Sequence, residues 1–159
     1  MERICYIVGA APTDGRLPQK REGDFLIAAD AGYAALRTAG IAPDLVIGDF
    51  DSLGFVPEHP NVLTHSPVKD DTDLILAIRW ALERGWNRFE LYGALGGARL
   101  DQTVASFQTL RFLRAQGARG VLVGDGWNVT VIDRCTLRLL TPRPLVALPW
   151  GSISQSSTR

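Results

Sequence analysis

Short apolar runs that each stop at a glycine or an aspartate most limit what this chain can fold into. Ile4 to Val8 stops at Gly9, Phe25 to Ala29 at Asp30, Leu45 to Ile47 at Gly48-Asp49 and Phe89 to Tyr92 at Gly93. Runs of this kind fit strands covered on both faces, the situation of a parallel sheet. Helical patterns lie between them. Ala31 to Ala39 is Ala-rich and is stopped by Gly40 and Pro43, and Asp73 to Arg84 places Leu74, Ile78, Ala81 and Leu82 on one face before Gly85. The stretch from Leu100 or Asp101 to Gln116 carries Val104, Phe107, Leu110 and Leu113 on its apolar side and stops at Gly117. The predicted fold class is α/β, a three-layer sandwich with a largely parallel sheet and right-handed crossovers. Ligands of such sheets bind beyond the carboxyl ends of the strands, so the site is expected in the strand-to-helix loops.

After Gly117 the pattern changes. Val121 to Val123, Val129 to Ile132 and Leu137 to Leu140 read as closely spaced strands, either extending the sheet or opening a β-rich segment. From Thr141 the chain has Pro142, Pro144 and Pro149, then a Ser-rich run from Ser152 to Thr158 too poor in apolar surface to order itself, which predicts disorder near the end. Residues 1–124 are thus expected to form the α/β domain and residues 125–159 a β-rich extension with a disordered tail.

With 159 residues, 46% of them hydrophobic, the chain can bury one good core. Lys plus Arg and Asp plus Glu both number 17, so no broad field favours nucleic acid or an anionic membrane as partner, and any phosphate binding must be local. Cys5 and Cys135 form no CxxC pair and sit in strand-like stretches, as in a reduced cytosolic protein. No stretch approaches the ~20 apolar residues of a membrane span, and Met1-Glu2-Arg3 leads directly into a strand, so the expected location is the cytoplasm.

Gly48-Asp49-Phe50-Asp51-Ser52 follows directly on a strand, so two carboxylates project at the sheet's carboxyl edge, either as ligands for a hard cation or as an Asx turn capping nearby amides. Lys69-Asp70-Asp71-Thr72-Asp73 precedes the second helix; Asp70, Asp71 or Thr72 could cap it, but the density of charge favours a phosphate and metal site. Gly93-Ala94-Leu95-Gly96-Gly97-Ala98-Arg99-Leu100-Asp101 offers bare amides, a helix N-terminus and an Arg fork, which suits nucleotide phosphate, although it is neither GxGxxG nor Walker A. Asp30 either caps the first helix or completes a carboxylate cluster. His59 and His65 have no partner at ligand spacing and read as surface residues, Trp80, Trp86 and Trp127 read as packing, and Trp150 is left open.

Taken together, Ile27 to Gly32, Pro43 to Ser52, Lys69 to Asp73 and Gly96 to Asp101 resemble the thiamine pyrophosphokinase family in order and spacing. The resemblance runs from about Ile4 to Gly124, the family's α/β catalytic domain, and implies transfer of the diphosphoryl group of ATP to the hydroxyl of thiamine, with AMP released. By the same resemblance, Asp49, Asp51 and Asp73 match the positions that hold Mg²⁺ on the triphosphate. Lys69, Asp70 and Thr72 match polar nucleotide-side positions, with Asp30, Gly96 and Gly97 completing the expected nucleotide site, and Arg99 and Asp101 match the pair at the reacting phosphates and the acceptor. Asp51, Asp73, Arg99 and Asp101 are the expected catalytic set, Asp101 orienting or deprotonating the acceptor hydroxyl. The family usually has Asp-His and, a turn later, Asn where this chain has Asp101-Gln102 and Ser106, and Asp-Gly-Gly where it has Asp30-Ala31-Gly32. The resemblance also implies a homodimer, and a C-terminal β-sandwich domain that this sequence largely lacks. The competing readings are a related diphosphokinase for another primary alcohol, such as a hydroxymethylpterin, and a Mg-ATP-binding protein without turnover.

Overall fold

In the computed structural model, residues 2–13, 15–51, 53–64, 72–96, 100–124, 126–132 and 145–149 are described. The elements are β1 (Cys5–Val8), β2 (Phe25–Ala29), α1 (Gly32–Thr38), β3 (Leu45–Gly48), β4 (Val62–Thr64), α2 (Asp73–Glu83), β5 (Arg88–Tyr92), α3 (Leu100–Ala115), β6 (Arg119–Val123), β7 (Asn128–Ile132) and β8 (Leu145–Pro149). The strands form one 8-stranded sheet in the order β4-β3-β2-β1-β5-β6-β7-β8. Neighbours are parallel except β6 and β7, which run antiparallel. β7 and β8 therefore continue the sheet of the α/β unit beyond residue 124.

The apolar runs are continuous because each inner strand is covered twice. Cys5, Ile7, Ile27 and Leu91 pack toward α2 and α3 with Ala77, Ile78, Leu110 and Leu113. Tyr6, Val8, Leu26 and Val46 alternate with them and pack toward the opposite face, where α1 supplies Leu36. Burial pushes the Cys5 thiol well above its usual range, with the Asp44 charge adding to the effect, so Cys5 is an inert core residue. Phe25 stacks on Trp80 at 5.4 Å and lies 5.8 Å from Trp86, the packing role expected of both tryptophans. Trp127, expected to pack, is instead 56% exposed.

The structure departs from the sequence reading at other points. β4 was not expected, and β8 occupies part of the proline-rich stretch, while Leu137 to Leu140 lie outside the described residues. On α3 the buried line is Ser106, Thr109, Leu110 and Leu113, and Val104 faces solvent, because the first turns of this helix overhang a cleft rather than the sheet. His59 is half-buried, with Nδ1 3.1 Å from Asn61 N and Nε2 3.0 Å from the Pro43 carbonyl oxygen. No helix among the described residues is long and apolar enough to cross a membrane.

Asp24 fastens the start of β2 to β1. Its carboxylate accepts from Ile4 N–H (2.9 Å) and Arg21 N–H (3.0 Å). Burial alone would raise its pKa, but these backbone donors, the Tyr6 hydroxyl and the Arg21 charge outweigh it and hold the group below the usual carboxylate value. A depressed folded pKa contributes stability that is complete above the unfolded value of ~3.9 and is lost as pH falls through the folded value. Asp24→Asn is therefore expected to lower the melting temperature at pH ~7, with the gap to the parent protein narrowing as pH falls below the unfolded value in a melting series across pH.

Candidate active site

β1 leads to β2 on one side of the sheet and β5 leads to β6 on the other, so the loops after β1 and β5 part in opposite directions and open a crevice between them. Two glycines allow the backbones to touch where they part. Gly9 N–H donates to the Tyr92 carbonyl (2.8 Å) and Ala11 N–H to the Gly93 carbonyl (2.9 Å), continuing the ladder past the strand ends. A Cβ on Gly93, whose φ is +56°, would lie 2.4 Å from the Gly9 carbonyl oxygen, so only glycine fits this floor.

Above the floor, side chains from three elements meet. Asp30 follows β2, Asp49 follows β3 and Asp73 opens α2, and each offers a carboxylate oxygen within 4.8 Å of the other two. Asp30 is 8% exposed and has φ 47°; its N–H donates to the Ile47 carbonyl (2.8 Å) and its carbonyl accepts from Tyr33 N–H (3.0 Å). Phe50 also lies in the left-handed region, at φ 60°, with its ring buried beside Val8 and Leu36. Each such conformation costs about 1–2 kcal/mol in a residue with a side chain, and both occur in the loops that carry the carboxylates. A Cβ on Gly48 would sit 3.1 Å from Asp30 Cα, so the bare Gly48 lets the ends of β2 and β3 approach closely.

Asp30 does not cap α1, whose cap position is Ala31 with no side-chain bond, and its carboxylate joins the trio. Asp49 forms an Asx turn, Oδ1 accepting from Asp51 N–H (3.2 Å), and its carboxylate also belongs to the trio. Asp51 is exposed and is not one of the three carboxylates that meet among the described residues, whereas Asp30, expected as a cap or in a carboxylate cluster, is one of them. Thr72 caps α2, Oγ1 accepting from Ile75 N–H at 3.4 Å, and so points Asp73 out of the first turn at the positive end of that helix. Gly96 adopts φ +78° with open space around it, and Asp101 and Gln102 are exposed at the start of α3. Lys69, Asp70, Gly97 and Arg99 lie outside the described residues, as do His65, Cys135 and Trp150.

Asp30 and Asp73 border a cleft of about 310 Å³, flanked by the start of α2 and by α3. Along α3 its lining passes from Asp101 and Gln102 at the mouth to Ala105, Ser106 and Thr109. Ser106 is 5% exposed and Thr109 2%. Thr109 was not expected in the site, and Ser106 drew notice only as a departure from a family pattern. The available signal was a group of small residues, Ala105, Ser106 and Thr109, interrupting the apolar side of a helix.

Residues 19–122 match the family model described as thiamin pyrophosphokinase, catalytic domain. The curated thiamine pyrophosphokinase of Bacillus subtilis is 36% identical over 95 residues, covering 56% of this chain and 44% of that protein. The crystal structure of the Bacillus subtilis thiamine pyrophosphokinase superposes with a TM-score of 0.64 at 29% identity, covering 76% of this chain and 60% of the other. That of Geobacillus thermodenitrificans thiamin pyrophosphokinase gives 0.61 at 30% identity, covering 76% and 59%. The Candida albicans enzyme, at 14% identity and a TM-score of 0.55, shares the fold. The chain thus spans less than two thirds of the length of these relatives. With the family model matching most of its length, the chain belongs to the thiamin pyrophosphokinase catalytic-domain family.

Proposed function

We propose that this chain transfers the diphosphoryl group of ATP to the hydroxyl of thiamine, giving thiamine diphosphate and AMP. The observation that carries the reading is the convergence of Asp30, Asp49 and Asp73 beside a cleft at the point where the sheet's connections reverse direction. The trio suits Mg²⁺: carboxylate oxygens are its preferred protein ligands, and oxygens about 2.1 Å from one centre lie at most about 4.2 Å apart. The 4.8 Å bound therefore needs only small side-chain movement. Mg²⁺ bound there supplies neutralisation of triphosphate charge.

The remaining work falls to the chain's own groups. Diphosphoryl transfer demands mainly positioning and charge stabilisation. Gly96, with open space about it, leaves its amide without a neighbouring side chain, and the N-terminus of α3 adds its partial positive charge for phosphate oxygens. Asp101, exposed at that terminus and lining the cleft, orients the acceptor hydroxyl or takes its proton. Lys69, Asp70 and Arg99 enter this reading on family resemblance alone, as nucleotide-side and phosphate residues, and so does Asp51 as a metal ligand. The same resemblance supports pairing as a homodimer, and the cysteine usage of the sequence supports a cytoplasmic location.

The test is AMP release from ATP and Mg²⁺ by the purified chain, with and without thiamine. Thiamine-dependent AMP is the expected result. ATP binding with no AMP when thiamine is added would overturn the acceptor assignment, and AMP elicited by a hydroxymethylpterin in its place would reassign it.

A further inference from the structure

We propose that the α3 wall of the cleft selects a heteroaromatic amine, with Ser106 and Thr109 as its specificity-determining residues; the inference rests on the diphosphotransferase reading above. Both residues line the cleft and are at most 5% exposed. Ser106 Oγ donates to the Gln102 carbonyl at 3.0 Å, and Thr109 Oγ1 donates to the Ala105 carbonyl at 2.9 Å. A hydroxyl has one proton to give, and each of these is committed to the preceding helical turn. What each oxygen keeps is lone pairs. The buried part of the wall, Ser106 and Thr109, therefore accepts hydrogen bonds and does not donate them, while Gln102, whose amide can donate, stays at the exposed mouth.

This asymmetry determines what can sit against it. A ligand N–H satisfies a buried acceptor, whereas a carbonyl or unprotonated ring nitrogen brought to the same place sets lone pair against lone pair and is left unpaired. Ala94 and Ala105 add only methyl groups to the lining and Leu74 adds apolar surface from α2, which suits the faces of a flat ring. Arg79 on α2 lies over the Phe112 ring on α3 at 5.1 Å and bridges the two helices further along, beyond the cleft. The carboxylates border the cleft from α2 and β2, so a substrate with its phosphates near them can turn its ring toward α3. Adenine and the pyrimidine ring of thiamine both carry an exocyclic amino group, and either would satisfy this wall.

Titration calorimetry with Mg²⁺ present separates the sources by comparing ATP with inosine triphosphate, and thiamine with oxythiamine. In each pair the second ligand replaces the amino group with an oxo group. The parent chain is expected to prefer the amine about tenfold in one pair. Ser106→Ala and Thr109→Val, made singly, are each expected to bring that preference toward about twofold while the other pair is unchanged, and Thr109→Ser, which keeps the oxygen, retains it. The pair that responds identifies the ring. The ratio is read on one preparation, so a reduced folded fraction cancels. Preferences unmoved by both substitutions, or absent from the parent in both pairs, overturn the inference. A preference that persists in a chain releasing no AMP leaves the wall standing and removes the diphosphotransferase reading instead.

Discussion

Asp49→Asn is expected to reduce thiamine-dependent AMP release at least ~100-fold while leaving the metal-free protein nearly as stable as the parent. The substitution keeps the shape of the side chain and keeps Oδ1, so the Asx turn that accepts Asp51 N–H at 3.2 Å survives. Lost is one of three carboxylate charges that come within 4.8 Å of one another. A neutral amide oxygen is a poorer partner for Mg²⁺, and the charge it offsets in the triphosphate goes with it. Two readouts check this independently of the acceptor. The parent should melt at a higher temperature with Mg²⁺ and ATP than without, by the linkage of ligand binding to folding, and the variant should show little of that rise. Metal-free melting temperatures should agree within about 3 °C, roughly the shift that 1 kcal/mol produces in a chain of this size. A variant that keeps both the ligand-induced rise and the turnover would remove Asp49 from the metal position. If the metal-free melt collapsed instead, the residue's role would be structural.

The choice between Asp30 and Asp51 marks where sequence stopped being informative about the site. Asp49 and Asp51 stand two apart, and on a continuing strand their side chains would share a face. The strand does not continue. Phe50 takes a left-handed φ of 60° and buries its ring, which turns Asp51 out to solvent and leaves Asp49 beside the end of β2. Asp30 then supplies the third carboxylate from a residue that is itself left-handed, at φ 47°. Neither conformation has a local signature, since both residues carry side chains and are held there by tertiary packing. The central strands were legible for the opposite reason, because double burial writes itself as an unbroken apolar run that must stop where the chain turns. β4 has no such run: it is three residues on the sheet's edge, with Leu63 42% exposed. β8 was hidden by Pro149 and by the two prolines that precede it in the sequence. Pro149 is the strand's last residue and β8 lies at the other edge, where a missing N–H breaks no inner ladder.

Gly32→Ala is expected to destabilise the protein by roughly 3 kcal/mol or more, the largest stability effect of a single methyl anticipated in this fold. A Cβ at this position would lie 2.0 Å from the Val8 carbonyl oxygen, 2.6 Å from its carbon and 2.9 Å from the Gly9 carbonyl oxygen. All three are backbone atoms of the central strand and its continuation, so no side-chain rotation relieves the clash. Either α1 moves off the sheet or β1 shifts within it. The methyl matters to function because Gly32 lies two residues from Asp30, whose carbonyl accepts the Tyr33 N–H in the first turn of the same helix. Displacing α1 carries Asp30 with it, so Mg²⁺-dependent ATP affinity should fall together with stability. Gly85→Ala provides the contrast: its φ is +82° but nothing lies within 4 Å of the added carbon. There only the left-handed backbone is penalised, about 1 kcal/mol, with no effect on the site. Urea melts of the two variants beside the parent read both costs on one scale. Equal losses would mean that the contact between α1 and β1 yields easily, and that the position of Asp30 is set by β2 and β3 rather than by the helix behind it.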